Sequence, residues 1–471
     1  MAQKAKVWYA DANATNWTES LVCKAKDIFY EAKLNECIEK GDSVAIKIHT
    51  GERNRTRCLR PELVAAVVEE VKACGGRPFV CDTTTLPYHA YNDRIIASLE
   101  LEGAARHGFT QASLGCPLVI ADGFSGDDDV RVEIPTGVII KEAYVAAAIA
   151  HADAMINLAH AKGHPIASFG GCIKCIGIGG QSKRGKFQEH LAHWGTPEDF
   201  LGWPASYPEK CLNVKCEFHK QCMDGCHAGA LRIDETGFHR DTEKCWLCYA
   251  CQVTCIFTGH ESQTFTADYF PYAQMAMSDA ALAVLLTFEP GKVGHMAYAI
   301  DTDTMCDCIP WAGLPVSPDI GVFASKDIVA IDSAILDMID AAPAYPGGAG
   351  KALEAANYKQ GADKFAVTVG TPPRYQLTAG VKNGMGVMDY ELIKWEPPLT
   401  AAQVAKWQVR QTPTALILRE MWKKRDYLKE VQPFQRIPFE QKPNIPDYAV
   451  ADRTPFLKKL PVKEWAEAAG R

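Results

Sequence analysis

Residues 43–82 read SVAIKIHTGERNRTRCLRPELVAAVVEEVKACGGRPFVCD. The pattern of apolar residues in this stretch decides the fold class. Residues 43–48 are a short β-branched run, the signature of a strand. Pro61 opens a helix, and Ala-Val-Val spacing keeps one face apolar through Lys72. Cys74-Gly75-Gly76 ends it, as glycine does past a helix C-terminus. Residues 79–81 are the next strand. A strand, a helix and a second strand at this spacing make a βαβ unit, whose strands run parallel.

The pattern continues on both sides. Helices are expected at 93–107, 279–288 and 326–339, and strands at 118–121, 155–159, 293–300 and 320–324. The expected fold is therefore α/β, a mostly parallel sheet flanked by helices. In such sheets ligands sit beyond the carboxyl ends of the strands. Those ends carry Lys47-Ile48-His49, Cys81-Asp82-Thr83, Asp122-Gly123 and His160-Ala161-Lys162-Gly163-His164.

A cysteine-rich stretch interrupts the alternation at about 205–262. Cys245, Cys248, Cys251 and Cys255 follow C-x2-C-x2-C-x3-C, the bacterial ferredoxin spacing. Thiolates at these intervals wrap an iron–sulfur cube, and the last one reaches a second cube. Cys211, Cys216, Cys222 and Cys226 form another group, with a stretched front and with His227 where proline usually follows. The crossing rule assigns Cys211, Cys216, Cys222 and Cys255 to one 4Fe–4S cluster, and Cys226, Cys245, Cys248 and Cys251 to the other. The expected organisation is an α/β domain at 1–204 and 263–371, a two-cluster ferredoxin-like insert at 205–262, and a C-terminal extension at 372–471 with a helix near 401–428.

Of 18 cysteines, eight are thus accounted for. The N-terminal residues lack the long apolar segment of a secretory signal, and no apolar run approaches the ~18 residues of a membrane span. A reducing cytoplasm, in an anaerobic cell, is the expected setting, with the other thiols free or metal-bound. The net charge of −7 and the absence of a basic stripe exclude a nucleic-acid partner.

Residues 160–190 are dense in glycine and basic residues. Gly170, Gly171, Gly179 and Lys183 are the candidate cofactor-binding residues, because glycines let backbone N–H groups approach an anion. No Walker triplet and no dinucleotide fingerprint is present; a flavin leaves no short motif and stays open. Lys47, His49, Asp82, Lys162, His164, Lys174 and Lys186 are the candidate catalytic residues, able to clamp an anionic group and donate protons as electrons arrive. Cys306-Asp307-Cys308 sets two thiolates around an acid. With Cys172 and Cys175 they would make four thiolates, enough for a third cluster or a zinc ion; a redox-active or nucleophilic pair and inert buried thiols are the alternatives.

These motifs resemble the domain-of-unknown-function family 362. The residues that carry the resemblance include Lys47-Ile48-His49-x-Gly51, Arg60-Pro61-Glu62-Leu63, Cys81-Asp82-Thr83, Lys162-Gly163-His164, Phe169-Gly170-Gly171-x-x-Lys174, Cys306-Asp307-Cys308 and Ala330-Ile331-Asp332. Cys175 stands where a polar residue such as Asn is common. The resemblance implies an α/β fold and iron–sulfur binding and supplies no substrate. The expected function is an iron–sulfur oxidoreductase that passes electrons to an anionic substrate or cofactor in the α/β cleft and works with a redox partner protein. A non-catalytic electron carrier or adaptor, and a cluster or metal maturation factor, are the alternatives.

Overall fold

The computed structural model describes residues 4–86, 93–191, 208–245, 250–260, 262, 269–347, 349–356, 359–397 and 423. Among these the strands are β1 (Ala5–Asp11), β2 (Ser43–Lys47), β3 (Arg77–Asp82), β4 (Leu118–Ile120), β5 (Asp129–Glu133), β6 (Glu142–Ala146), β7 (Ala154–His160), β8 (Lys162–His164), β9 (Ser168–Gly170), β10 (Leu231–Asp234), β11 (Gly237–Arg240), β12 (Val293–Ala299), β13 (Gly321–Ser325) and β14 (Tyr390–Lys394). Eight of them form one sheet in the order β14-β1-β13-β12-β7-β2-β3-β4. Within that sheet only β13 runs against the rest, being antiparallel to both β1 and β12. The mostly parallel α/β architecture is as the sequence led us to expect.

Burial explains the strand order. All seven residues of β7 are buried, so it lies mid-sheet, where both faces are covered. Successive side chains alternate between faces. Met155 and Ala159 join the core beneath the helices Cys172–Gly177, Tyr269–Leu285 and Ile328–Ala341. Ala154, Ile156 and Leu158 join the opposite core with the helices Leu21–Glu31 and Pro61–Ala73.

Several boundaries differ from expectation for physical reasons. The helix expected at 279–288 is Tyr269–Leu285, since Pro271 falls in its first turn, where a missing N–H costs nothing. The helix expected at 93–107 spans Ala97–Arg106. Strand β1 extends the sheet beyond the expected strands, and so does β14, which lies inside the expected C-terminal extension. β14 pairs with β1 in parallel, and Trp395 just after it donates its indole N–H to Asp27 at 3.1 Å. The first compact unit accordingly runs past residue 371 to Pro398. The helix expected near 401–428 lies outside the described residues.

The cysteine-rich insert contains the helices His219–Asp224 and Ala250–Phe257 and the antiparallel pair β10–β11. The first helix packs against both the second helix and β10.

Candidate functional site

Parallel pairing brings the carboxyl ends of β2, β3, β7 and β12 to one edge. Lys47 pairs in register with Cys81 and Asn157, and His160 with Tyr298. The chain beyond each end supplies the site.

Lys47 and Asp82 are both buried and form an ion pair at 2.9 Å. The Lys47 ammonium also donates to the Ile48 carbonyl at 2.6 Å. Asp82 Oδ2 accepts from the Thr50 N–H at 2.9 Å and the Thr50 hydroxyl at 3.1 Å. Burial alone would raise the Asp82 carboxyl, but Lys47 and Arg94 hold it well below the usual carboxylate range. His49 receives the Gly51 N–H on Nδ1 at 3.0 Å and has Arg94 Nη1 3.1 Å from Nε2. Burial, reinforced by Arg94, lowers His49 to about 4, so the ring is neutral at neutral pH.

Lys186 donates to Thr83 Oγ1, the Thr84 carbonyl and the Gln181 carbonyl at 2.7–2.8 Å. Burial brings it down to about 8. Asp122 accepts from the Thr84 N–H at 2.9 Å and the Thr84 hydroxyl at 2.7 Å. Lys183 donates to the carbonyls of Ile95 and Ser125, both at 2.5 Å.

The glycine-rich segment meets its anion inside the protein. The Asp332 carboxylate accepts the N–H groups of Cys172 and Ile173 at 2.7 and 2.8 Å, where the helix Cys172–Gly177 begins. A Cβ on Gly171 would run into that carboxylate, and one on Gly179 would run into the Lys47 ammonium. These glycines are needed for close approach between parts of this chain. Gly170 sits in β9, against the stems of Lys162 and Lys174.

Asp307 points into a buried cationic nest: His160 Nδ1 at 2.9 Å, Lys162 Nζ at 3.3 Å and Arg55 Nε at 3.5 Å. His160 Nε2 faces the Ile300 carbonyl at 2.8 Å, so both ring nitrogens face oxygen atoms. Arg55 also pairs with Asp303 at 2.7 Å. The sulfurs of Cys306 and Cys308 and a ring nitrogen of His164 all lie within 4.8 Å of one another. Lys174 Nζ lies 3.5 Å from Cys306 Sγ, and the Cys308 N–H is 3.4 Å from the same sulfur. Burial pushes the Cys306 thiol up, but Cys308, Lys174 and His49 together bring it well below the usual thiol range.

Cys172 and Cys175 do not join this group. They are three residues apart on one helix, so they share a face, and that face lies on the sheet. Their thiols point to backbone carbonyls, Cys172 to Met296 at 3.6 Å and Cys175 to Lys47 at 3.8 Å. The sulfurs of Cys306 and Cys308 group with His164, while the Cys172 and Cys175 thiols face the sheet. Glu189, near His164 and Lys174, is buried with both carboxylate oxygens lacking a hydrogen-bond partner among the described residues, and burial raises its carboxyl well above the usual range.

Sequence reasoning did not single out Arg94, Arg55, Asp303 or Asp332 as site residues. Asp332 had a legible signal, an acid at a core position of the apolar helix Ile328–Ala341. Arg94 and Arg55 lie in polar loops and carried none.

In the cysteine-rich stretch, Cys222 has the thiols of Cys255, Cys216 and Cys211 as neighbours. Burial first, then these thiols, pushes Cys222 up to about 12. The Asn213 N–H lies 3.4 Å from Cys211 Sγ, and the Ala230 N–H lies 3.2 Å from Cys226 Sγ. Cys245 and Cys251 both act on Arg240. Cys248 lies outside the described residues.

The family model described as "Domain of unknown function (DUF362)" matches residues 44–337. The chain belongs to the DUF362 family. The DUF362 match runs from β2 into the helix Ile328–Ala341, so it takes in the strand ends, the insert, the Cys306–Cys308 loop and Asp332. No curated relative matches the chain. Among the described residues no helix is long and apolar enough to cross a membrane.

Proposed function

We propose that this DUF362 protein is an iron–sulfur oxidoreductase whose insert carries two 4Fe–4S clusters and feeds electrons to the carboxyl edge of the sheet. The observation that carries this reading is the neighbourhood of Cys222. Cys255 closes the second cysteine motif, yet with Cys211 and Cys216 it surrounds a thiol of the first motif. That is the crossing which a two-cluster ligand set requires. Backbone N–H groups aimed at Cys211 and Cys226 suit thiolates, since hydrogen bonds to sulfur tune such centres.

Cys211, Cys216, Cys222 and Cys255 would hold one cluster, and Cys226, Cys245, Cys248 and Cys251 the other. Bound clusters supply one-electron transfer at potentials between about −700 and +450 mV. At the sheet edge, Lys174 and Arg94 provide positive charge beside the Cys306 and Cys308 thiols, suited to an anionic substrate or cofactor. Lys186, brought down to about 8, is the group there best matched to proton exchange near neutral pH. A redox partner protein supplies the electrons.

A second reading, a non-catalytic electron carrier, is favoured by one observation. The cations of the site already have partners in the protein: Lys47 on Asp82, Lys162 on Asp307, Lys183 and Lys186 on backbone oxygens. Oxygen-free preparation followed by iron and sulfide assay tests the cluster claim, with about 8 irons per chain expected. Protein reduced with dithionite is then offered flavin, nicotinamide and acidic metabolites. Reoxidation by a small molecule supports the oxidoreductase; reoxidation by a partner protein alone supports the carrier. A colourless, iron-free protein after attempted loading contradicts both.

A further inference from the structure

We propose that Cys306 and Cys308 form a two-electron dithiol/disulfide couple that reduces a low-molecular-weight anionic disulfide. Its regeneration rests on the electron delivery proposed above; formation of the disulfide does not.

Three observations carry the inference. First, the two sulfurs lie within 4.8 Å of each other on a loop whose middle residue, Asp307, is anchored by His160 and Lys162, so the thiols are within reach. Second, the surroundings stabilise a thiolate. Lys174 Nζ and the Cys308 N–H both lie within 3.5 Å of Cys306 Sγ. Third, exposure divides the roles. Cys306 is fully buried and Cys308 only partly so. An incoming disulfide meets Cys308 first, and Cys306 waits behind it.

A metal on the same three residues is the competing assignment, and His164 argues against it. The N–H groups of Ile166 and Ala167 both donate to His164 Nδ1, at 3.0 and 2.9 Å. A ring whose Nδ1 accepts carries its hydrogen on Nε2 when neutral. A metal-ligating histidine instead donates from its second nitrogen. His164 therefore turns a donor, not a lone pair, toward the thiols, and two cysteines alone do not complete a zinc site.

The chemistry balances as follows. The pair starts with one proton between its two sulfurs. The Cys306 thiolate takes the Cys308 proton as Cys308 attacks one sulfur of R–S–S–R, forming a mixed disulfide and releasing RS⁻. Cys306 passes the shared proton to that leaving thiolate, which departs as RSH. The Cys306 sulfur then attacks Cys308 Sγ, closing the internal disulfide and releasing the second RS⁻. Two electrons and one proton return the pair to its starting state, with the iron–sulfur insert as the reductant. Arg94 and Lys174 lie within charge range of Cys308, which favours a disulfide bearing carboxylates.

The test uses the full chain, reduced and held without oxygen. Oxidised glutathione, an anionic disulfide, is added, remaining thiols are alkylated, and peptides are mapped by mass. The peptide carrying Cys306 and Cys308 is expected to lose two hydrogens and escape alkylation. In Cys306→Ser, Cys308 is expected to stall as a mixed disulfide with glutathione. Cystamine, a cationic disulfide, is expected to react at least tenfold more slowly. A glutathione redox titration of the unmutated protein gives the same answer without a variant, as a single two-electron step at this peptide. Thiols that stay alkylatable throughout overturn the proposal. So does stoichiometric uptake of Zn²⁺ that protects both thiols and is lost in His164→Ala. Faster reaction with cystamine overturns the anionic preference. Iron is counted on the same samples: an inert pair in iron-loaded protein sinks this inference alone, and an active pair in protein that cannot be loaded sinks the cluster reading alone.

Discussion

Asp307 is the residue on which the geometry of the site turns. It is fully buried and faces His160, Lys162 and Arg55, so its charge is compensated and its loop is fixed. Asp307→Asn removes the negative centre and strands buried positive charge. The expected cost is about 3–5 kcal/mol in denaturant unfolding; a loss under about 1 kcal/mol would show that the nest does not anchor the loop. Burial by itself would raise the Asp307 carboxyl, but His160 and Lys162 hold it far below its ordinary value. A depressed carboxylate contributes stability that is complete above its unfolded value near about 3.9 and is lost as pH falls toward the folded value. The unmutated protein should therefore lose stability more steeply below about pH 4 than Asp307→Asn does, measured by unfolding at a series of pH values. The acid in Cys306-Asp307-Cys308 was visible in the sequence. Its partners Arg55 and His160 stand some 250 and 150 residues away, and nothing in a single sequence ties such positions together.

At the scale of elements, the βαβ units were legible because apolar periodicity changes from two to 3.6 at each boundary. The short cysteine helix shows where that legibility ends. Cys172–Gly177 reads as a glycine-rich loop, yet Asp332 caps it from the helix Ile328–Ala341. Its close packing on the helix Tyr269–Leu285 depends on Gly177, whose missing side chain leaves room for the Met277 carbonyl. Gly177→Ala is expected to cost about 1–3 kcal/mol by overpacking, read as a lowered midpoint of thermal unfolding; an unchanged midpoint would mean that the two helices separate freely. Strands β1 and β14 were not legible as sheet members. Their burial patterns are mixed, because they lie toward one side of the sheet and bury fewer faces than β7 does. Trp395 marks β14 as part of the body: it is buried and holds Asp27. Trp395→Ala is expected to cost about 3–5 kcal/mol, checked by urea denaturation. A shift under about 1 kcal/mol would return residues 390–397 to the status of an appendage.

For the whole molecule, the cysteines fall in two groups, one at 211–255 and one beside the strand ends at 306–308. The cysteine spacing was readable because its intervals lie within one short stretch of sequence, whereas the Cys306–Cys308–His164 grouping joins residues far apart in the chain. The central claim is that the two cysteine motifs exchange their last ligands. Cys255→Ser tests it most directly, using electron paramagnetic resonance of the dithionite-reduced, oxygen-free protein, compared with Cys222→Ser and Cys251→Ser. Crossed ligation predicts that Cys255→Ser alters the same cluster signal as Cys222→Ser and leaves intact the one that Cys251→Ser removes. If Cys255→Ser instead abolishes the signal that depends on Cys251, each motif closes on itself and the account is contradicted.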